Sequence, residues 1–177
     1  MLVVGDGIIG ASAALAATAR GFRVLCLGRH VHRLAAIGSL GIATAVAGDD
    51  AGPGVAAFGP EAVIDTVQNQ EAFDAYIGPL AERGGELVYS GHSPDGATSW
   101  ADMARLQQAE LTVHFVSGWT EARVLGTLEL MRSGALPLER LLGDVAHTQE
   151  EALALARRVA AGESRPVAAA IEWSWAG

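Results

Sequence analysis

The sequence predicts an α/β fold, a doubly wound parallel sheet of about six strands followed by C-terminal helices and a terminal strand. Three observations predict it. Short apolar runs alternate with helical segments, the order that builds a parallel sheet covered on both faces. The first run, Leu2-Val3-Val4, ends in Gly5-Asp6-Gly7-Ile8-Ile9-Gly10 and passes directly into an Ala-rich helical segment. A second half starts again at Ala62-Val63-Ile64-Asp65 with another strand.

Each glycine of the first turn has a separate task. Gly5 permits the tight turn, Gly7 lets a pyrophosphate approach the backbone, and Gly10 lets the helix lie close on the strand. Ile8 and Ile9 open that helix, whose N-terminus offers free N–H groups and partial positive charge. Ala11 to Arg20 reads as helix, Gly21 as its stop, and Phe22 to Leu27 as a second strand. This strand–turn–helix–strand context predicts a nucleotide-binding βαβ unit of the Rossmann type. The competing reading is a Gly-rich turn in some other α/β domain.

The end of the second strand bears on which nucleotide. NAD-binding versions carry an acidic residue there for the ribose 2′-OH. Here Gly28 is followed by Arg29, His30 and Arg33, with no carboxylate among them. Arg29 can pair bidentately with a 2′-phosphate and Arg33 can add charge, which favours NADP(H) over NAD(H). Otherwise the two arginines are a solvated helix start. His30 and His32 read as surface residues.

Composition narrows the function classes. The 177 residues suit one domain. A formal net charge of −8 argues against non-specific nucleic-acid binding. All 12 basic residues are arginine, so P-loop lysine, Schiff-base lysine and Tyr-x-x-x-Lys chemistries are excluded. Cys26 is alone, so it offers no internal disulfide, and with five scattered histidines the chain shows no zinc-ligand spacing. No signal peptide or membrane-spanning run is read, and a cytoplasmic protein is expected.

The remaining elements follow in order. His30 to Gly38 reads as a short helix, Gly41 to Val46 as a third strand, and Gly48 to Pro60 as loop. Asn69 caps a helix from Gln70 to Arg83, with Phe73, Ile77, Leu80 and Ala81 on one face, stopped by Gly84-Gly85. Glu86 to Ser90 is a strand and Gly91 to Gly96 a loop. Ser99-Trp100-Ala101-Asp102 reads as a capping box for a short helix. Leu111 to Val116 is the last strand of the sheet, Thr120 to Ser133 a helix, and Leu136 to Leu141 irregular. Thr148-Gln149-Glu150-Glu151 opens a helix ending at Gly162, and Val167 to Trp173 is the terminal strand.

With these segments in order, the chain resembles the cofactor-binding domain of the medium-chain dehydrogenase/reductase family, the zinc-alcohol-dehydrogenase-like enzymes. The resemblance rests on Val-Val-Gly-Asp-Gly-Ile-Ile-Gly at 3–10, Val-Ile-Asp-Thr at 63–66 and Leu-Ala-Glu-Arg-Gly-Gly-Glu-Leu-Val at 80–88. Glu-Leu-Thr-Val at 110–113 and Leu-Glu-Leu-Met-Arg-Ser-Gly-Ala-Leu at 128–136 extend it. Ser-Gly-Trp119 and Ala-Ile-Glu-Trp173 are similar to the bacteriochlorophyllide-dehydrogenase branch. The resemblance implies cofactor contacts at Gly5, Gly7, Ile8, Ile9, Gly28, Arg29, Thr66, Val67, Gly91, His92 and Ser117. Family members also carry an N-terminal catalytic domain, and this chain has none of it, so residues 137–177 would need a new partner. The alternatives are a fragment of a longer enzyme, a domain that works alone, or a separate chain supplying the other half.

Hydride transfer needs a dry nicotinamide pocket and a proton source for the substrate oxygen. His92 is the internal candidate, because the family geometry puts it beside the nicotinamide; the bland reading is a loop histidine that frames the cofactor. Tyr89 is expected in the core, His114 on the surface, His147 near a helix N-cap, and Asp65 as support for its strand end. Trp100, Trp119, Trp173 and Trp175 suit either an apolar pocket or an interface. Strand 111–116 lies at a sheet edge, and in the family the matching strand pairs across a two-fold axis, so a homodimer by this route is expected. The first functional expectation is an NADP(H)-dependent, zinc-independent oxidoreductase acting on a carbonyl, alcohol or activated alkene of a small-molecule substrate. The alternatives are a non-redox tailoring enzyme or cyclase in secondary metabolism that reuses the cleft, and an assembly subunit completing a partner chain.

Overall fold

The structure, a computed structural model, describes residues 1–48, 51–90, 101–116, 120–163 and 165–173. The sheet is built from β1 (Leu2–Val4), β2 (Leu25–Gly28), β3 (Ala43–Val46), β4 (Ala62–Asp65), β5 (Glu86–Ser90) and β6 (Thr112–Val116). All five pairings are parallel and the order is β3-β2-β1-β4-β5-β6. The direction of winding reverses between β1 and β4, which opens a crevice at the carboxyl ends of those strands.

Alternation along each strand sends side chains to two cores. Leu2, Val4, Leu25, Leu27, Val63 and Leu87 face one layer, formed by α3 (Ala51–Phe58), α4 (Gln70–Ala81) and α5 (Met103–Gln108). Val3 and Cys26 face the other, formed by α1 (Ile8–Ala19), α2 (Val31–Gly38) and part of the C-terminal segment. The alanines of α1 let it pack close: Ala11, Ala14 and Ala17 are buried against the sheet. The helix ends as expected, with Gly21 at φ +84° and the Phe22 N–H bonded to the Ala17 carbonyl.

After β6 come α6 (Glu121–Arg132), a 3₁₀ turn (Leu138–Leu141), β7 (Leu142–Ala146), α7 (Gln149–Ala160) and β8 (Ala168–Ile171). β7 and β8 form a separate two-stranded parallel sheet. Thr148 caps α7 by accepting from the Glu151 N–H, while Glu151 reaches back to the His147 N–H at 2.7 Å.

Three expectations are corrected. Residues 48–60 are not all loop, because 51–58 form α3. Pro53 is compatible because it falls in the first turn, where its missing N–H costs no helix bond. Burial of Ala51 and Val55 against α4 overrides the glycines. The N-cap of α5 is Asp102, accepting from the Arg105 N–H, and not Ser99. Residues 136–141 include a 3₁₀ turn that buries Leu141. Asn69 caps α4 as expected, Tyr89 is buried, and Cys26 is buried with its thiol pushed up to about 12 by burial and by Asp6.

Candidate functional site

A cleft of about 390 Å³ opens at the carboxyl ends of β1, β2 and β4, within the range of small-molecule sites, about 300–1,000 Å³. Its floor is the glycine turn. Gly5 sits at φ +121°, where a Cβ would overlap the Thr66 hydroxyl. At Gly10 a Cβ would overlap the Gly5 carbonyl, so only glycine lets α1 start against β1. Gly7 differs: a Cβ there meets nothing within 4 Å, so the space above it is open cleft. Gly7 is also the N-cap of α1 and makes no side-chain cap bond. Among the described residues no side-chain cap bond reaches this helix start, so the first-turn N–H groups face a ligand-sized space. Ile8 and Ile9, 42% and 45% exposed, form an apolar lip.

The opposite rim comes from β4 and α4. Asp65 is fully buried and accepts from the Val67 and Gln68 N–H groups at 2.8 and 2.9 Å and from the Tyr76 hydroxyl at 2.8 Å. It holds Gln68 at φ +57° and so sets the Thr66-Val67 rim. Burial and the adjacent Asp65 push the Tyr76 hydroxyl well above the usual tyrosine range, so it stays a donor. Thr66 is tied back through its hydroxyl to the Val4 carbonyl at 2.8 Å.

The third wall is the end of β2. Gly28 is glycine because a Cβ would press into the Asp6 carboxylate. Asp6, 5% exposed, accepts from the His30 N–H at 2.6 Å and lies 3.0 and 3.1 Å from His30 Nδ1. Arg33 Nη1 stands 3.4 Å from Asp6, and Arg33 Nε donates to the Arg165 carbonyl at 2.7 Å. Burial alone would raise the Asp6 carboxyl, but hydrogen bonds from His30 and the charge of Arg33 outweigh it and hold it below the ordinary range.

Gly5, Gly7, Ile8, Ile9, Gly10, Gly28, Arg29, Arg33, Thr66 and Val67 thus converge on one cleft. Gly91, His92 and Ser117 lie outside the described residues, as do Trp100, Trp119 and Trp175. Two readings change. A carboxylate does stand at the end of β2, supplied by Asp6 from the glycine turn, and its oxygens are taken up by His30 and Arg33. His30 is not a plain surface residue, and Arg33 braces Asp6 and the C-terminal segment. Asn69 and Glu71 of α4 also line the cleft; as a helix cap and first-turn acid they gave no sequence signal for it. Asp6 did give one, standing between two motif glycines. His114 is exposed, with Glu86 3.5 Å away, and His147 precedes α7 with Nδ1 2.8 Å from Glu172. Among the described residues no group of three His, Cys, Asp or Glu could hold a metal, and no helix is long and apolar enough to cross a membrane.

Solved structures share this architecture. An oxidoreductase/dehydrogenase of unknown specificity from Escherichia coli superposes with a TM-score of 0.80 at 19% identity, covering 98% of this chain and 50% of that one. Alcohol dehydrogenase TADH from Thermus sp. ATN1 gives 0.74 at 23% identity, covering 92% and 48%. A protein described as a short chain alcohol dehydrogenase from E. coli CFT073, complexed with NADH, gives 0.74 at 17% identity, covering 97% and 51%. The fold is that of the cofactor-binding domain of medium-chain alcohol-dehydrogenase-like proteins. The chain spans about half the length of these structures. No protein-family model and no curated sequence matches it.

Proposed function

We propose that residues 1–177 form an NADP(H)-binding domain of an oxidoreductase. The observation that carries the reading is the open space over Gly7 at the uncapped start of α1, in a cleft that ends at Arg29. The residues present fit a dinucleotide. The first turn of α1 would hold the pyrophosphate through backbone N–H groups. Thr66 and Val67 would flank the adenosine end, and Gly28 would admit the ribose. Arg29, exposed at the rim, would pair with a 2′-phosphate. When bound, the nicotinamide would exchange a hydride with a carbonyl, alcohol or activated alkene. The chain's own contribution is to orient the dinucleotide and to cover it with the Ile8–Ile9 lip. The reading includes zinc independence and leaves the proton donor to His92.

Titration of the chain with NADPH and NADH tests this. NADPH should bind about tenfold more tightly than NADH, and Arg29→Ala should remove most of that preference. Equal affinities, unchanged in Arg29→Ala, would reject the NADP assignment.

A second reading concerns partners. The edge strand β6 leaves Phe115 68% exposed, and α6 buries none of its residues. The β7–β8 unit leaves Leu142, Val145 and Ile171 exposed, with Trp173 beyond it. These surfaces favour a homodimer through β6 and a further domain or chain over residues 137–177.

A further inference from the structure

Asp65 and Tyr76 are fully buried and neither lines the cleft, yet both act on its rim. That rim is a short link between two fixed points. Thr66 is fixed to β1, because its N–H and its hydroxyl both donate to the Val4 carbonyl, at 3.0 and 2.8 Å. Asn69 is fixed to α4 as its N-cap, accepting from the Ala72 N–H at 2.9 Å. Only Val67 and Gln68 lie between them. Both of their N–H groups go to one atom, Asp65 Oδ1, at 2.8 and 2.9 Å, while Oδ2 takes the Tyr76 hydroxyl at 2.8 Å. Gln68 stands at φ +57°, a backbone region that glycine enters freely and a residue with a Cβ resists. The two N–H bonds offset that resistance. Val67 is the residue they place. It lines the cleft and reaches the glycine turn, where a Cβ on Gly5 would come within 3.3 Å of its Cγ2 methyl.

We propose that Asp65 is a positioning residue for the nucleotide: steadied by Tyr76, it holds the left-handed backbone at Gln68 that keeps Val67 against the glycine turn, and so sets how tightly the cleft grips its ligand. The proposal rests on the nucleotide reading of the same cleft. It concerns the adenosine end, which NADPH and NADH share, and is independent of the contacts that would tell them apart. Asp65 meets no ligand, so its effect travels through the backbone of residues 67 and 68 alone. An amide can do the same work. The oxygen of Asp65→Asn would accept the two N–H groups, and its nitrogen would donate to the Tyr76 oxygen. The Tyr76 proton could then turn to the Tyr89 hydroxyl, which is buried beside it and has no hydrogen bond among the described residues.

The experiment measures NADPH and NADH affinity by calorimetry on the intact chain, with thermal midpoints on the same samples. Gln68 does not line the cleft, so a substitution there reaches the ligand only through the backbone. Gln68→Val, β-branched at a positive φ, should weaken both nucleotides about fivefold to tenfold, and Gln68→Gly should bind like the wild type. Asp65→Ala should weaken both about tenfold, and Asp65→Asn should stay within about threefold of the wild type. The deciding variant is Asp65→Ala/Gln68→Gly, which should regain most of the affinity while its midpoint stays below that of the wild type. In every variant the ratio of NADPH to NADH affinity should keep its wild-type value. Equal binding by Gln68→Val and Gln68→Gly overturns the proposal, a comparison that holds even if Asp65→Ala does not fold. So does affinity that follows the midpoint in all variants, which would make Asp65 a folding residue only. In either case wild-type binding leaves the nucleotide domain standing. If the wild type binds NADPH and NADH alike and the series behaves as expected, the NADP assignment falls and the positioning role stands. If the wild type binds no nucleotide, both fall.

Discussion

The glycines separate folding from binding. Gly10→Ala places a Cβ on the Gly5 carbonyl, a backbone atom that cannot step aside. It should cost about 3 kcal/mol, read as a lowered denaturation midpoint. A Cβ at Gly7 meets no protein atom within 4 Å, and φ there is −81°, so Gly7→Val needs no left-handed backbone. As a change at the N-cap of α1 it should cost no more than about 1 kcal/mol, well short of Gly10→Ala, and abolish nucleotide binding. Asp6 makes a pH prediction. Its folded pKa is depressed, so its contribution is present above the unfolded carboxylate value and is lost as pH falls through the folded value. Asp6→Asn should therefore destabilise by about 1–3 kcal/mol at neutral pH, with the two proteins converging in acid. A gap that persists after the wild-type carboxyl is protonated would contradict the charge account.

Among elements, the caps and stops were legible because they are local. Asn69 and Thr148 each accept from the N–H three residues on, and Gly21 ends α1; Thr120, read as the first helical residue, is in fact the cap of α6. The same local chemistry misleads where candidates compete. Ser99 and Asp102 are both good caps, and only the burial of Leu106 selects the register that starts at Met103. Asp102→Ala should lower stability by about 1 kcal/mol in denaturant unfolding. Helix α3 was not legible, because Gly52 and Gly54 oppose a helix locally and its support comes from Val55 packed on α4. The Asp6–His30 contact was hidden for a related reason. Parallel pairing of β1 with β2 brings residues 24 apart in sequence to one strand end, and no periodicity records that.

At the scale of the molecule, strand order follows from the βαβ pattern, and the cleft follows from the reversal between β1 and β4. What a sequence of this kind leaves open is what covers the outer surfaces. β6 ends the sheet with Phe115 and Val116 exposed, and the helix that follows it in the chain buries no residue. An unpaired edge of this kind invites a second strand. We expect sedimentation to give a dimer at micromolar concentration and Phe115→Asp to give a monomer that still binds nucleotide. A wild-type monomer would remove the edge-pairing proposal and leave the cleft untouched.

The central claim is that the cleft over Gly7 holds a 2′-phosphorylated dinucleotide. The most direct measurement is titration of the wild type and Gly7→Val with NADPH and NADH, following tryptophan quenching, with thermal midpoints taken on the same samples. The account predicts saturable binding that favours NADPH in the wild type and none in Gly7→Val, whose midpoint shows it folded. Failure of the wild type to bind either nucleotide, or undiminished binding by Gly7→Val, would contradict it.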